Sequence, residues 1–265
     1  MCTAIISVDP GARVPVLLAA VRDELAGRAW DLPGAHWPDR PGIVAGRDRA
    51  AGGTWLAVQA ADGRVACLLN GFGRGCPGAA RRSRGELPLA VAAGEGLDRA
   101  RLPCYDPFHL VTADTDTVVL SSWDGAALRT RRLGAGLHLI VNSGLEGRDD
   151  QHPGNPTSPA DMAARVAHFR PLLLAAPRPD PDDGTTAEAW AGWLPVVEGG
   201  GLAPADPRAL LIRRTDRERR VFRSQSVSLL AIGDGTVRYD FTAAPATGTW
   251  HRVPVDAALP MRSRR

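Results

Sequence analysis

A cysteine directly follows the first methionine, in Met1-Cys2-Thr3-Ala4-Ile5-Ile6-Ser7-Val8. Methionine before a small side chain is commonly removed, which would place a thiol nucleophile and a free α-amine on one residue. An α-amine titrates near ~8, so part of it is an uncharged base at neutral pH. A nucleophile served by its own terminal amine is a known arrangement in acyl transfer. The competing reading is an apolar start to a strand, since free Cys is often buried.

The elements around Cys2 decide which side chains can reach it. Ile5 to Val8 and Val14 to Leu18 are β-like apolar runs separated by the turn signal Asp9-Pro10-Gly11. A hairpin centred near Gly11 to Ala12 places the partner of Cys2 at about position 21, and so brings Val21-Arg22-Asp23-Glu24 beside the thiol. An Arg there lowers the thiol pKa and an Asp holds the amine or the guanidinium. A polar cap on an edge hairpin is the other reading.

Trp30 to Asp48 is rich in Pro, Gly and Trp and reads as a long irregular loop. A second hairpin follows, with Leu56 to Val58 and Val65 to Leu69 around Ala61-Asp62-Gly63. Its centre sets Thr54 opposite about Asn70, so Gly52-Gly53-Thr54-Trp55 and Asn70-Gly71 share one end of a sheet. Glycines there permit close approach of a backbone or a ligand. A plain Asn-Gly turn is the alternative for Asn70-Gly71.

Composition bounds the class. A chain of 265 residues with 44% hydrophobic and 23% charged residues is globular. A net charge of +3 is too small to argue for nucleic acid. All basic residues are Arg, and Arg82, Arg84, Arg213, Arg214, Arg219 and Arg220 read most simply as solvated faces. No apolar run approaches the ~20 residues of a membrane helix, and no basic region precedes an apolar signal segment. The four cysteines, Cys2, Cys67, Cys76 and Cys104, have no metal spacing and suggest a reducing cytoplasm without disulfides. The oligomeric state has no signal in the sequence.

With these residues in view, the chain resembles the NRDE family, also called the transport and Golgi organisation family. The Met1-Cys2 start, Arg22-Asp23-Glu24, Gly52-Gly53-Thr54-Trp55 and Arg84-Gly85-Glu86-Leu87 carry the resemblance. It continues weakly through Asn142-Ser143 and Arg223-Ser224. It implies an α+β fold, the four-layer αββα sandwich of N-terminal-nucleophile hydrolases. The opening Met1 to Ile5 is also similar to choloylglycine hydrolases and penicillin V acylases, cysteine amidases of that fold. Two departures stand out. Val21 replaces the motif's Asn, and Gly144-Leu145-Glu146-Gly147-Arg148 stands where the family runs towards a Trp-Pro pair.

The remaining pattern fits a single α+β domain over 1–265. Arg84 to Arg99 reads as a helix. Phe108 to Ala113, Val118 to Ser121, Leu128 to Arg132 and Leu137 to Val141 read as strands, the last ending at Asn142, and Trp123-Asp124-Gly125 as a hairpin turn. Ser158 caps a helix to about Ala175, with Met162, Val166, Phe169 and Leu173 on one stripe and His168 on its surface. Pro177 to Asp183 reads as a linker. Thr186 to Val197 reads as a second helix with Trp190 and Trp193 as packing residues. Val221 to Ile232, Thr236 to Thr242 and Trp250 to Val253 return to strands, with a turn at Gly233-Asp234-Gly235.

The expected function is a cysteine amidohydrolase or acyltransferase acting on a small-molecule, non-peptide N-acyl amide. Cys2 attacks, its α-amine relays the proton, Asp23 orients the amine and Arg22 favours the thiolate. The Asn142 side chain and the Asn70 backbone N–H are candidates for the oxyanion hole, worth ~3 kcal/mol per donor. Arg223 matches a family position weakly. Gly53, Thr54, Trp55 and Gly71 are expected at the substrate, with the Pro/Trp-rich loop and the segment after Asn142 choosing it. No metal or organic cofactor is needed. The alternative is a haem- or lipid-handling carrier on the same fold, with His109 or Cys104 as candidate haem ligands. A glutaminase-type amidotransferase domain is a third reading, opposed by the absence of a following synthetase domain.

Overall fold

The computed structural model describes residues 2–148, 159–216, 218–233 and 236–255. Among them the strands form two antiparallel sheets. The first holds β1 (Cys2–Val8), β2 (Val16–Leu25), β10 (Gly136–Val141), β11 (Gly144–Leu145), β12 (Arg213–Thr215), β13 (Val221–Gly233), β14 (Thr236–Thr242) and β15 (His251–Arg252). Its order is β11-β10-β1-β2-β13-β14-β15, with β12 added on β13. The second holds β3 (Trp30–Gly34), β4 (Ile43–Asp48), β5 (Leu56–Gln59), β6 (Arg64–Asn70), β7 (Phe108–Ala113), β8 (Val118–Trp123) and β9 (Leu128–Arg132), paired in chain order. The helices are α1 (Glu86–Ala92), α2 (Pro159–Ala175), α3 (Thr186–Ala189) and α4 (Leu194–Val197).

Strand alternation separates three apolar layers. Ala4, Ile6, Leu18 and Ala20 of the first sheet meet Val58, Val65, Cys67 and Val111 of the second. On the other face of the first sheet, Ile5, Leu17, Ala19 and Val21 meet Met162, Val166, Phe169 and Leu173 of α2, together with Trp190 and Trp193. Outside the second sheet, Ala57, Ala66 and Leu110 pack on Leu87, Leu89 and Ala92 of α1. The result is the αββα sandwich. Each fully buried Leu, Ile or Phe in these layers contributes about 1.5–3 kcal/mol.

β1 lies between β2 and β10, so Cys2 begins a central strand. β2 continues well past its apolar start, through Arg22, Asp23 and Glu24, because β13 pairs with it as far as Leu25. The register pairs Cys2 with Arg22, one residue beyond the sequence arithmetic.

Several expected elements differ. Trp30 to Asp48 is not a loop throughout, since β3 and β4 flank its Pro-rich middle and pair with each other. Thr54 stands closer to Leu69 than to Asn70, because Leu56 pairs with Cys67. The helix from Arg84 is confined to Glu86–Ala92; Ala93 N–H and Gly94 N–H close the last turn, and Gly94 has the left-handed φ of 88°. Trp123 belongs to β8 rather than to the turn. The segment Pro177 to Asp183 is tied down, as Arg178 donates to Ser7 Oγ and to the carbonyl of Val14. Thr186 to Val197 breaks into two single turns, with Trp190 Nε1 donating to Asp240 between them. His168 is half-buried edge-on against Phe169. The Ser158 cap and the Asp234-Gly235 part of the last turn lie outside the described residues.

Candidate active site

Cys2 sits at the end of β1, half-buried in a cleft of about 420 Å³ between the two sheets. Its backbone N–H donates to Oδ1 of Asn142 at 2.8 Å, and its thiol points at the backbone carbonyl of Asp23, 4.0 Å away. Asn142 follows the last residue of β10, the strand next to β1. Its other side-chain atom, Nδ2, donates to the backbone carbonyl of Asn70 at 2.6 Å. One carboxamide therefore ties the nucleophile's nitrogen to the end of β6 in the opposite sheet.

Alternation along β2 sends Arg22 and Asp23 to opposite faces. Arg22 shares the inter-sheet face with Ala20 and Cys2. It is 5% exposed, its guanidinium lies 4.3 Å from the Trp55 ring centre, and Nη2 is 3.7 Å from Asp48. Asp23 shares the helix face with Val21. It is 4% exposed and accepts a 2.6 Å hydrogen bond from Ser224 Oγ on β13. Arg165 of α2, fully buried, lies near enough for its charge to act on Asp23 and donates to Thr3 Oγ1.

Burial dominates the electrostatics. It pushes the Cys2 thiol above its ordinary pKa, against the opposing pull of the chain's amino terminus and, more weakly, of Arg22. Burial also raises Asp23, opposed by the same terminus, Arg165 and Ser224. It lowers Arg22, Arg84 and Arg165 from the usual guanidinium range. Arg22 pulls towards the thiolate, as expected, but burial outweighs it.

The other expected site residues divide. Asn70 lines the cleft. Its N–H lies on the same side of β6 as that of Leu68, which donates to Trp55, and β5 has ended by that point. The Asn142 amide, by contrast, is already engaged by the Cys2 nitrogen and the Asn70 carbonyl and does not line the cleft. Gly53 is close to a backbone: a Cβ there would lie 2.4 Å from the carbonyl carbon of Gly85. Thr54 N–H donates to that Gly85 carbonyl, while the Thr54 hydroxyl is turned to Leu56. Trp55 lines the cleft as the platform under Arg22, and a Cβ on Gly46 would strike its ring at 2.4 Å. Gly71 packs on Pro107 and Phe108 outside the cleft. Arg223 is exposed and pairs in register with Glu24; its neighbour Ser224 is the residue that reaches Asp23. The described part of the segment after Asn142 turns back along β10 and does not line the cleft.

Five residues stand here that the sequence pattern did not point to. Arg84 lines the cleft instead of facing solvent. Asp48 gathers Arg28 at 2.6 Å and Arg22 at 3.7 Å. Trp30 donates to Gln225, which closes the β2–β13 side. Arg165 follows Met162 by three positions, on the buried stripe of α2, and that spacing was its available signal. His109 is sealed, with Nδ1 at Ser122 Oγ and Nε2 at the Asn142 carbonyl, which opposes it as a haem ligand. Among the described residues no cluster of His, Cys, Asp and Glu suits a metal, and the four cysteines are free.

The family model described as Transport and Golgi organisation 2 matches residues 1–155, more than half of the chain. The chain belongs to that family. The match takes in Cys2, Arg22, Asp23, Asn70, Arg84 and Asn142, and ends before Arg165 and Ser224. Among solved structures, this Transport and Golgi organisation 2 member is similar to the C2A mutant of a conjugated bile acid hydrolase from Clostridium perfringens. The TM-score is 0.52 at 9% identity, over 96% of this chain and 92% of the other. What the two share is the fold, the αββα sandwich of the N-terminal-nucleophile hydrolase type. No curated protein matches the chain.

Proposed function

We propose that this protein is a cysteine N-terminal-nucleophile amidohydrolase or acyltransferase that acts on a small N-acyl amide. The observation that carries the reading is the hold on Cys2: its nitrogen is fixed by Asn142 Oδ1 and the residue lines the cleft. Removal of Met1 turns that nitrogen into an amine whose lone pair lies beside the sulfur.

In this reading the Cys2 sulfur attacks the amide carbonyl carbon and its proton passes to the α-amine. The tetrahedral oxyanion is met by the Asn70 N–H, a donor worth ~3 kcal/mol in such a site. The amine returns the proton to the leaving nitrogen as the C–N bond breaks, leaving an acyl thioester on Cys2. Water, or a second amine, attacks the thioester carbonyl and regenerates the thiol. Asn142 holds the α-amine in position, and Asp23, supported by Ser224 and Arg165, sets the charge beneath it. The chemistry uses no metal or cofactor.

Chromogenic N-acyl anilides test the proposal on three proteins: the mature chain, one with an uncleavable N-terminal extension, and Cys2→Ala. Turnover by the mature chain alone is the expected result. Equal turnover by the extended protein removes the α-amine from the mechanism, and equal turnover by Cys2→Ala removes the nucleophile.

A further inference from the structure

The cleft around Cys2 is lined by five arginines, Arg22, Arg28, Arg81, Arg82 and Arg84, and by four acidic residues, Asp23, Glu24, Asp48 and Asp106, of which Asp23 turns its carboxylate to Ser224 on the other face. Most of these charges are matched inside the protein. Arg28 donates to Asp48, Arg81 pairs with Asp106, and Arg82 pairs with Glu86 at the start of α1. Arg84 has no carboxylate partner among the described residues; its one hydrogen bond goes to the carbonyl of Pro107, at 2.7 Å. Arg22 is only 5% exposed, yet among the described residues its Nη1 has no hydrogen-bond partner and the nearest acid oxygen is 3.7 Å from Nη2. Buried guanidinium N–H groups without acceptors cost free energy. The unpartnered Nη1 of Arg22 and, beside it, an Arg84 that no carboxylate pairs among the described residues mark a place where a ligand supplies the oxygens.

The segment that carries Arg84 is built into the wall. Gly53 and Gly85 touch backbone to backbone, and Thr54 N–H donates to the Gly85 carbonyl at 2.9 Å. Arg84 is therefore held at a fixed place on the rim that Cys2 shares. Burial already lowers its pKa, against the pull of Asp106 and, more weakly, of Glu24. A planar guanidinium fork fits a carboxylate with two parallel hydrogen bonds. The cation left without a carboxylate here is the single one of Arg84, which suits one carboxylate and not a polyphosphate.

We infer that the cleft takes amides bearing a free carboxylate, N-acyl amino acids being the simplest class, and that Arg84 binds that carboxylate. The substrate class rests on the amidase reading above, whereas the anion site can be measured without turnover.

The test uses the full-length Cys2→Ala protein, so that nothing is consumed. N-acyl glycines with acyl chains from two to twelve carbons, and their neutral glycinamide counterparts, are titrated by calorimetry. The carboxylate is expected to bind at least about tenfold more tightly than the matched carboxamide, the worth of one good charge-assisted pair. Adding Arg84→Gln should erase that preference and leave the neutral ligand's affinity unchanged, which also reports an intact cleft. Arg84→Lys should restore part of it. Equal affinities at every chain length, no binding at any, or a preference that survives Arg84→Gln would overturn the inference. Turnover of neutral amides with no carboxylate preference removes the anion site and keeps the amidase. Carboxylate binding through Arg84 in a protein that hydrolyses nothing does the reverse.

Discussion

The guanidinium of Arg22 lies over the indole of Trp55, 4.3 Å from the ring centre, and Cys2 is its register partner on β1. A residue at the opening of the β5–β6 hairpin thus braces a charge on the other sheet. A desolvated pair of this kind is worth about 2 kcal/mol. Trp55→Leu is expected to lose roughly that much stability in chemical unfolding, and to lose activity further by releasing Arg22. Unchanged stability and activity together would show that the stacking has no role.

The pH dependence of the thiol follows from its surroundings. Thiolate is the reactive form, and burial raises the Cys2 pKa, so less thiolate is present at neutral pH than in a free cysteine. Alkylation by iodoacetamide should rise with an inflection above the ordinary ~8.5. Arg22 pulls the value down and Asp23 pushes it up. Arg22→Gln should therefore move the inflection further towards alkaline pH, and Asp23→Asn towards acid. Opposite shifts would place the charges elsewhere.

Asn142 holds the Cys2 nitrogen, the base of the proposed mechanism. Asn142→Ala removes both the acceptor for the Cys2 nitrogen and the donor to the Asn70 carbonyl. General acid–base catalysis is worth about 10²–10⁴ in rate, and kcat should fall by at least about a hundredfold. Alkylation of the thiol by a small reagent should persist. Asn142→Asp restores an acceptor but no donor, so a partial rescue assigns the effect to the amine contact.

Gly53 is a packing position against the Arg84 segment. A Cβ on Gly53 meets the Gly85 backbone at 2.4 Å, and backbone cannot turn aside as a side chain can. Gly53→Val should lower the melting temperature and weaken carboxylate binding together, rather than merely block the entry of bulky substrates. A variant of full stability that rejects only large acyl chains would return Gly53 to the substrate wall.

How much of this was legible depends on the kind of signal. The β1–β2 hairpin was readable because Asp9-Pro10-Gly11 fixes a turn between apolar runs, and a register error of one residue still left Arg22 and Asp23 at Cys2. The faces of Arg22 and Asp23 follow from alternation once the strand is known to continue past Leu18. That continuation depends on β13, some 200 positions later, which no local pattern contains. The role of Asn142 depends on a contact with Asn70 across 72 positions, so a lone amide at a strand end looked like an oxyanion donor. Arg84 looked solvated because charge alone gives no depth; the Gly53–Gly85 contact that draws it inward joins two separate segments.

The central claim is a covalent one, that Cys2 is the first residue of the working protein and carries the acyl group. The direct measurement is the intact mass of the protein, acid-quenched during turnover of an N-acyl anilide, followed by mapping of its N-terminal peptide. The account predicts a chain without Met1, heavier by the acyl group alone, with the adduct on a peptide that begins at Cys2 and absent from Cys2→Ala. Retention of Met1 in a protein that turns over, or an acyl group on any other residue, would contradict it.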